Sequence, residues 1–255
     1  MEDLRASVNE NEIKMFETFA LTWWDPNGMA MLLHRMIPKI RIPLMLDTFI
    51  EEGMIKPENR DKSNVFEGLK ILDVGSGVGL MSEPMALLGA EVVGIDPAAK
   101  LVQVAREHLE KTHGESLKVE YHCDTVESFC RANCGRFDAV TFFDVAEHVA
   151  DVRSVLRASV ECLKPGGQIF ITTWNKTFMG WLYGIVMLEY VTGIVPRGAH
   201  SISMFVRPET IERLLAEFGC EKTDVRGTWF SLWTKDWSFS SYKDVFYAMK
   251  ASKLK

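Results

Sequence analysis

An apolar run, Ile71-Leu72-Asp73-Val74, breaks into Gly75-Ser76-Gly77-Val78-Gly79, and a second run, Val92-Val93-Gly94-Ile95, ends in Asp96, 21 residues after Gly75. Glycines at every second position allow a tight turn whose backbone approaches a ligand closely. In a parallel α/β sheet the first strand delivers that turn, and the second delivers an acid to the ribose hydroxyls of a nucleotide. A lone Gly-x-Gly carries little information. Strand, glycines, helix and spaced acid together specify a nucleotide pocket.

The rest of the chain keeps the alternation. Strands are expected at 69–74, 91–95, 118–122, 137–142 and 167–173, and helices at about 79–89, 98–112, 124–133, 151–162 and 208–218. Lys164-Pro165-Gly166-Gly167 reads as a turn launching the fifth strand, and the aromatic-rich tail 222–250 as a closing antiparallel hairpin. This is a doubly wound sheet. With 255 residues, 47% of them hydrophobic, the chain suits one domain with additions. Residues 1–64 read as a helical cap and linker, with helices around Glu12–Phe16 and from about Met29 to Ile50, separated by a turn at Trp23-Trp24-Asp25-Pro26-Asn27-Gly28. Residues 65–255 form the core.

The net charge of −6, without a run of lysines or arginines, argues against a nucleic-acid partner. Five cysteines, an odd number without a double pair, read as reduced and mostly buried thiols, although Cys130 and Cys134 stand four apart on an expected helix. Met1-Glu2-Asp3-Leu4-Arg5 has no apolar signal core and reads as neither a secretory nor a transit peptide.

Thr177 to Val195 carries a single charge, Glu189. It reads either as a buried core helix or as a lid, about residues 175–200, lying in a bilayer interface with Trp181, Tyr183 and Tyr190 at headgroup level and Lys176 and Arg197 flanking it. The tryptophan pair at 23–24 reads as packing in the core or lid.

Asp144, Glu147 and His148 follow the fourth strand. If a helical turn begins at Asp144, all three share one face. They are then either a helix cap and capping box, or an oxygen-rich ligand set with one imidazole for a divalent cation such as Mg²⁺.

The third glycine sits at Gly79, one residue earlier than a dinucleotide fingerprint requires. Leu72-Asp73-Val74 followed by Gly-x-Gly-x-Gly resembles motif I of the class I S-adenosylmethionine-dependent methyltransferases. That resemblance implies a seven-stranded Rossmann-like sheet and an Asp73 carboxylate facing the methionine part of the cofactor. More specifically, Phe143-Asp144-x-x-Glu147-His148-Val149 resembles the Glu-x-x-Glu-His-Val signature of the ubiquinone-biosynthesis O-methyltransferases. The similarity extends through Trp23-Trp24-Asp25, Gly94-Ile95-Asp96-Pro97, Asn175-Lys176-Thr177 and Val195-Pro196-x-Gly198-x-His200, and is closer to the mitochondrial than to the bacterial members.

The resemblance implies O-methylation of a polyprenylated catechol, a polyprenyl dihydroxybenzoate or demethylubiquinol. It implies S-adenosylmethionine contacts at Arg41, Asp73, Gly75, Gly77, Asp96 and Phe143, with Asp124-Thr125-Val126 near the adenine. It also implies metal ligation by Asp144, Glu147 and His148, with His148 as general base in the alternative. A peripheral position on the matrix side of the mitochondrial inner membrane follows, or on the cytoplasmic side of a bacterial one, with other ubiquinone-biosynthesis proteins as partners. Asp144 departs from the family's glutamate by one methylene, and the segment before Arg41 is one residue longer than the family pattern. Two further readings are a methyltransferase for another small molecule and a non-catalytic scaffold.

Overall fold

A computed structural model describes residues 7–28 and 30–255 of the protein. Met1 to Arg5 and Met29, used above, lie outside them. The chain alternates β1 (Lys70–Val74), α4 (Ser82–Leu87), β2 (Glu91–Asp96), α5 (Ala99–Thr112), β3 (Val119–Cys123), α6 (Val126–Asn133), β4 (Phe137–Phe143), α7 (Val152–Cys162) and β5 (Leu163–Trp174). It follows α1 (Glu10–Phe19), α2 (Met31–Met36) and α3 (Ile42–Glu51), and precedes α8 (Phe178–Trp181), α9 (Pro208–Glu217), β6 (Cys220–Ser231), β7 (Asp236–Ser240) and β8 (Phe246–Lys253).

The strands form one sheet in the order β3-β2-β1-β4-β5-β8-β6-β7. The first five run parallel, and β8 inserts antiparallel between β5 and β6. Eight strands replace the expected seven, because the tail folds back twice and β7 pairs with β6 at the edge. Lys164 to Gly167 is no separate turn. It lies within β5, where the pairing with β4 shifts register between Phe137 and Ala139.

Strand side chains alternate between two buried layers. Ile71, Ala139 and Phe170 face α4, α5 and the N-terminal helices, whereas Leu72, Val140 and Ile169 face α6, α7 and α9. Both faces of the strands are covered, which explains their nearly continuous apolar sequence.

The expected helix to Ile50 runs unbroken from Met31 to Glu51 but contains a π-helical turn. Between α2 and α3, Ile37–Arg41 forms a π-helical turn with prolines at positions 38 and 43. Proline lacks the N–H for the regular ladder, and a π turn absorbs one extra residue. The turn leaves Arg41 buried at the sheet end.

Thr177 to Val195 folds as α8 followed by a π-helical segment, Leu182–Val191. It is neither wholly core nor wholly lid. Phe178, Tyr190 and Val191 are exposed, whereas Tyr183 is buried with its hydroxyl donating to the Phe230 carbonyl. Tyr183 therefore does not sit at headgroup level. No helix among the described residues is long and apolar enough to cross a membrane.

Candidate active site

Chain order reverses between β1 and β4, so the loops at their carboxyl ends diverge and open a crevice. A cavity of about 310 Å³ lies there, lined by the glycine turn, Asp96, Phe143, the 144–148 segment and the N-terminal cap. Gly75, Gly77 and Gly79 all have positive φ. A Cβ on Gly75 would lie 2.5 Å from Val145 Cγ2, so only glycine lets the β1 turn touch the β4 loop.

Asp96 organises the turn. Its carboxylate accepts from the Gly77 N–H at 3.0 Å and the Ala98 N–H at 2.8 Å. Burial raises its pKa to about 6; those two hydrogen bonds oppose the rise and the charge of Asp73 adds to it. Asp73 is buried too, accepting from Ser82 Oγ at 2.5 Å and Thr141 Oγ1 at 2.7 Å, which braces the floor of the cavity. Asp124, Thr125 and Val126 line the side beyond β3, with Thr125 capping α6.

Arg41 reaches the cavity, whereas Arg35 donates to the Lys235 carbonyl next to β7. The Arg41 guanidinium lies 4.8 Å over the Phe143 ring and donates to Asp144 and to Thr172 Oγ1. Its Nε has no partner.

The 144–148 segment is not helical. Asp144 has φ of +56° and starts a tight turn, so neither the helix cap nor the shared helical face exists. Short polar residues enter this region at modest cost. The three side chains still approach the cavity, but each has its own commitment. Asp144 accepts from Arg41 and from Thr172 Oγ1. Glu147 is buried, accepts from Thr173 Oγ1 at 2.6 Å, and leaves Oε1 without a partner. His148 pairs through Nδ1 with Glu12 Oε2 at 2.9 Å, and the Phe16 ring packs edge-on against it. Burial pulls its pKa down, but Glu12 and the neighbouring carboxylates outweigh this, and the net shift is upward.

The trio suits a divalent cation in donor type, but not in arrangement. Among the described residues, ligand atoms of three His, Cys, Asp or Glu side chains converge within 4.8 Å only at Cys130, Cys134 and Glu161. Glu147 Oε1 is bare, while both Asp144 oxygens are engaged.

Five residues matter that the sequence did not single out for this site. Glu12 is one, and nothing local marks it. His200 is another: its ring lies 6.2 Å from that of His148, and its Nδ1 contacts Glu189 Oε1 at 3.0 Å. Glu189 also accepts from the Gly198 N–H, which ties down the 196–200 loop. Here there was a signal, since a lone charge in an apolar run needs a partner when buried. Trp23 lines the cavity with its indole N–H unpartnered, whereas Trp24 donates to the Val78 carbonyl and stacks on His108, clamping the cap to the glycine turn.

Trp23 Nε1, Arg41 Nε, Ser76 Oγ and Glu147 Oε1 are all buried, unpartnered and part of residues lining this cavity. Buried polar groups are rarely left bare unless a ligand completes them. The cavity therefore fits a ligand carrying donors and acceptors on an apolar frame, as an adenosyl amino acid does.

A family model described as a methyltransferase domain matches residues 28–225. The chain is 36% identical to the mitochondrial ubiquinone biosynthesis O-methyltransferase of Rattus norvegicus, covering 96% of this chain and 70% of that protein. It is 37% identical to the ubiquinone biosynthesis O-methyltransferase of Nitrobacter winogradskyi, covering 96% and 90%, and 35% identical to that of Sinorhizobium medicae, covering 99% and 98%. Among solved structures, magnesium protoporphyrin IX methyltransferase from Synechocystis PCC 6803 with bound SAH superposes with a TM-score of 0.56 at 16% identity, covering 96% of this chain and 88% of the other. The chain belongs to the ubiquinone biosynthesis O-methyltransferases and is an S-adenosylmethionine-dependent O-methyltransferase.

Proposed function

We propose that the enzyme methylates one hydroxyl of a polyprenylated catechol, either a polyprenyl dihydroxybenzoate or a demethylubiquinol. The observation that carries this reading is a carboxylate-backed imidazole, Glu12–His148, on the wall of a cavity that also carries Ile13, Phe16, Leu33 and Met36. The imidazole suits a hydroxyl, and the apolar wall suits a prenyl group.

S-adenosylmethionine, when bound, supplies a methyl group already activated by its sulfonium. The chain's work is to hold the attacking oxygen in line, about 3 Å from that methyl, and to take its proton. With Nδ1–H donated to Glu12, His148 presents Nε2 as acceptor for that proton. The second catechol oxygen faces His200, whose imidazole is held by Glu189. Asp96, with both oxygens already fixed by backbone N–H groups, receives the ribose hydroxyls. A divalent cation such as Mg²⁺, implied by the resemblance, finds one bare ligand atom at Glu147 Oε1 with Asp144 spent on Arg41.

The exposed Phe178, Tyr190 and Val191, with Arg197 stacked 5.4 Å over the Tyr190 ring, support peripheral docking on a membrane. A substrate dissolved in lipid would enter from that side. The matrix face of the mitochondrial inner membrane and the cytoplasmic face of a bacterial one both meet this description, and other ubiquinone-biosynthesis proteins would meet the enzyme there.

The test is transfer of labelled methyl to a catechol bearing a short prenyl tail. Wild type yields one methyl ether per turnover, and the same catechol without the tail reacts at least tenfold more slowly. Equal rates on the two catechols would remove the polyprenyl assignment.

A further inference from the structure

At the opposite end of the sheet from the cavity, α6 carries Cys130 and is capped by Cys134, while Glu161 and Cys162 end α7. Cys130 Sγ lies 3.3 Å from Cys134 Sγ and 3.5 Å from Glu161 Oε2. The backbone holds this corner together: the N–H groups of Gly135 and Arg136 donate to the carbonyls of Glu161 and Cys162, each at 2.9 Å.

We propose that Cys130, Cys134 and Glu161 bind a zinc-class divalent cation through two thiolates and one carboxylate, with water at the fourth position. Around a tetrahedral zinc ion, bond lengths of about 2.3 Å to sulfur and about 2.1 Å to oxygen set ligand separations of about 3.8 Å between sulfurs and about 3.6 Å between sulfur and oxygen. The observed 3.3 and 3.5 Å are short of these by roughly half an ångström or less. Side-chain rotation closes such a gap.

The surroundings agree with the assignment. Cys134 and Glu161 are exposed and offer an entry path, while Cys130 is buried and shields one side. Lys253 donates to the Val160 and Leu163 carbonyls at 2.9 and 2.8 Å, and its charge acts on the Cys134 thiol. Two thiolates, a carboxylate and a divalent cation sum to one negative charge, which Lys253 offsets. Thiolate ligands favour zinc over Mg²⁺ or Ca²⁺.

Without metal the thiols stay protonated. Contact with Cys162, and then burial, pushes up the Cys130 thiol, and contact with Cys130 raises that of Cys134. Binding therefore exchanges one M²⁺ for the two thiol protons, which pass to solvent. The ion joins the ends of α6 and α7 next to the start of β4. The seven residues of β4, about 20 Å of strand, separate it from the cavity, so it is a staple of the fold.

Co²⁺ titrated into the reduced full-length chain reads the site directly. The expected result is thiolate-to-cobalt charge-transfer absorption with intense tetrahedral ligand-field bands, saturating at one equivalent and reversed by Zn²⁺. Zn²⁺ should release about two protons per equivalent in weak buffer. Cys134→Ser and Glu161→Gln each weaken binding at least tenfold, while Cys123→Ser leaves the spectrum unchanged. Glu161→Gln alters only an exposed side chain, so it reports on the site even where a cysteine variant folds poorly. Absence of the charge-transfer band, or its persistence in both Cys134→Ser and Glu161→Gln, overturns the proposal.

Discussion

Glu12 Oε2 lies 2.9 Å from His148 Nδ1, joining the first described helix to the turn after β4 across 136 residues of chain. The contact fixes the position of the imidazole on the cavity wall. It also ties the N-terminal cap to the wall of the cavity, together with Ser7, whose hydroxyl donates to Glu127 and whose carbonyl accepts from Ala150.

Glu12→Gln should lower kcat by about 10² and leave the Kd for S-adenosylmethionine within a few-fold, since the amide keeps the contact but loses the charge that stabilises a protonated imidazole. Glu12→Asp recovers part of the loss. Calorimetry and steady-state kinetics separate the two quantities. A proportional fall in cofactor affinity would mean that Glu12 merely holds the cap in place.

With Asp96 as the proposed ribose acceptor, cofactor affinity should depend on pH. The folded pKa of Asp96 is raised from 3.8 to about 6, so in the ligand-free protein burying the carboxylate costs stability in full above about pH 6, and that cost declines as the pH falls from 6 towards 3.8. Binding should have the opposite sign, because in the proposed site the ribose hydroxyls donate to the ionised carboxylate. Affinity is full above about pH 6, and Kd then rises towards tenfold per unit as the pH falls further. Asp96→Asn binds weakly at every pH and flattens the profile; an unaltered profile in that variant assigns the pH dependence to another group.

Asp144 and Glu147 call for different substitutions. Removing Asp144 altogether leaves the buried Arg41 unpaired, at a cost of about 3–5 kcal/mol, so Asp144→Asn is the informative change. Turnover falls by about 10² or more while cofactor Kd moves only a few-fold. Glu147→Gln removes a buried carboxylate whose pKa burial raises and whose Oε1 has no partner. That variant should melt at a higher temperature than wild type while losing turnover, the trade-off expected of a strained functional site. Because Asp144 is already engaged, Mg²⁺ titrated into the ligand-free enzyme gives no saturable heat in the micromolar range. Micromolar binding there would show that the pairing with Arg41 yields readily to a cation.

The exposed face of the 178–191 segment predicts membrane binding. Replacing Phe178, Tyr190 and Val191 by serine should abolish flotation with cardiolipin-containing liposomes and leave turnover on a water-soluble catechol unchanged. All three side chains are solvent-exposed, so the fold is expected to tolerate their loss. Equal flotation of both proteins removes the docking surface.

Local pattern determined a large part of this protein. The glycine turn, Asp73, Asp96 and the five parallel strands are legible because each depends on residues close in sequence: a positive φ needs glycine, and a buried strand needs an apolar run. What the tertiary structure alone decided comes from segments far apart in the chain. The spacing of Asp144, Glu147 and His148 permitted a helix, but Asp144 N–H is held by the Thr172 carbonyl of β5, and the segment turns instead. Its side chains then find Arg41, Thr173 and Glu12 rather than one another. Residue spacing carries periodicity along one element, whereas the partner of a buried charge is set by whichever element the fold packs against it.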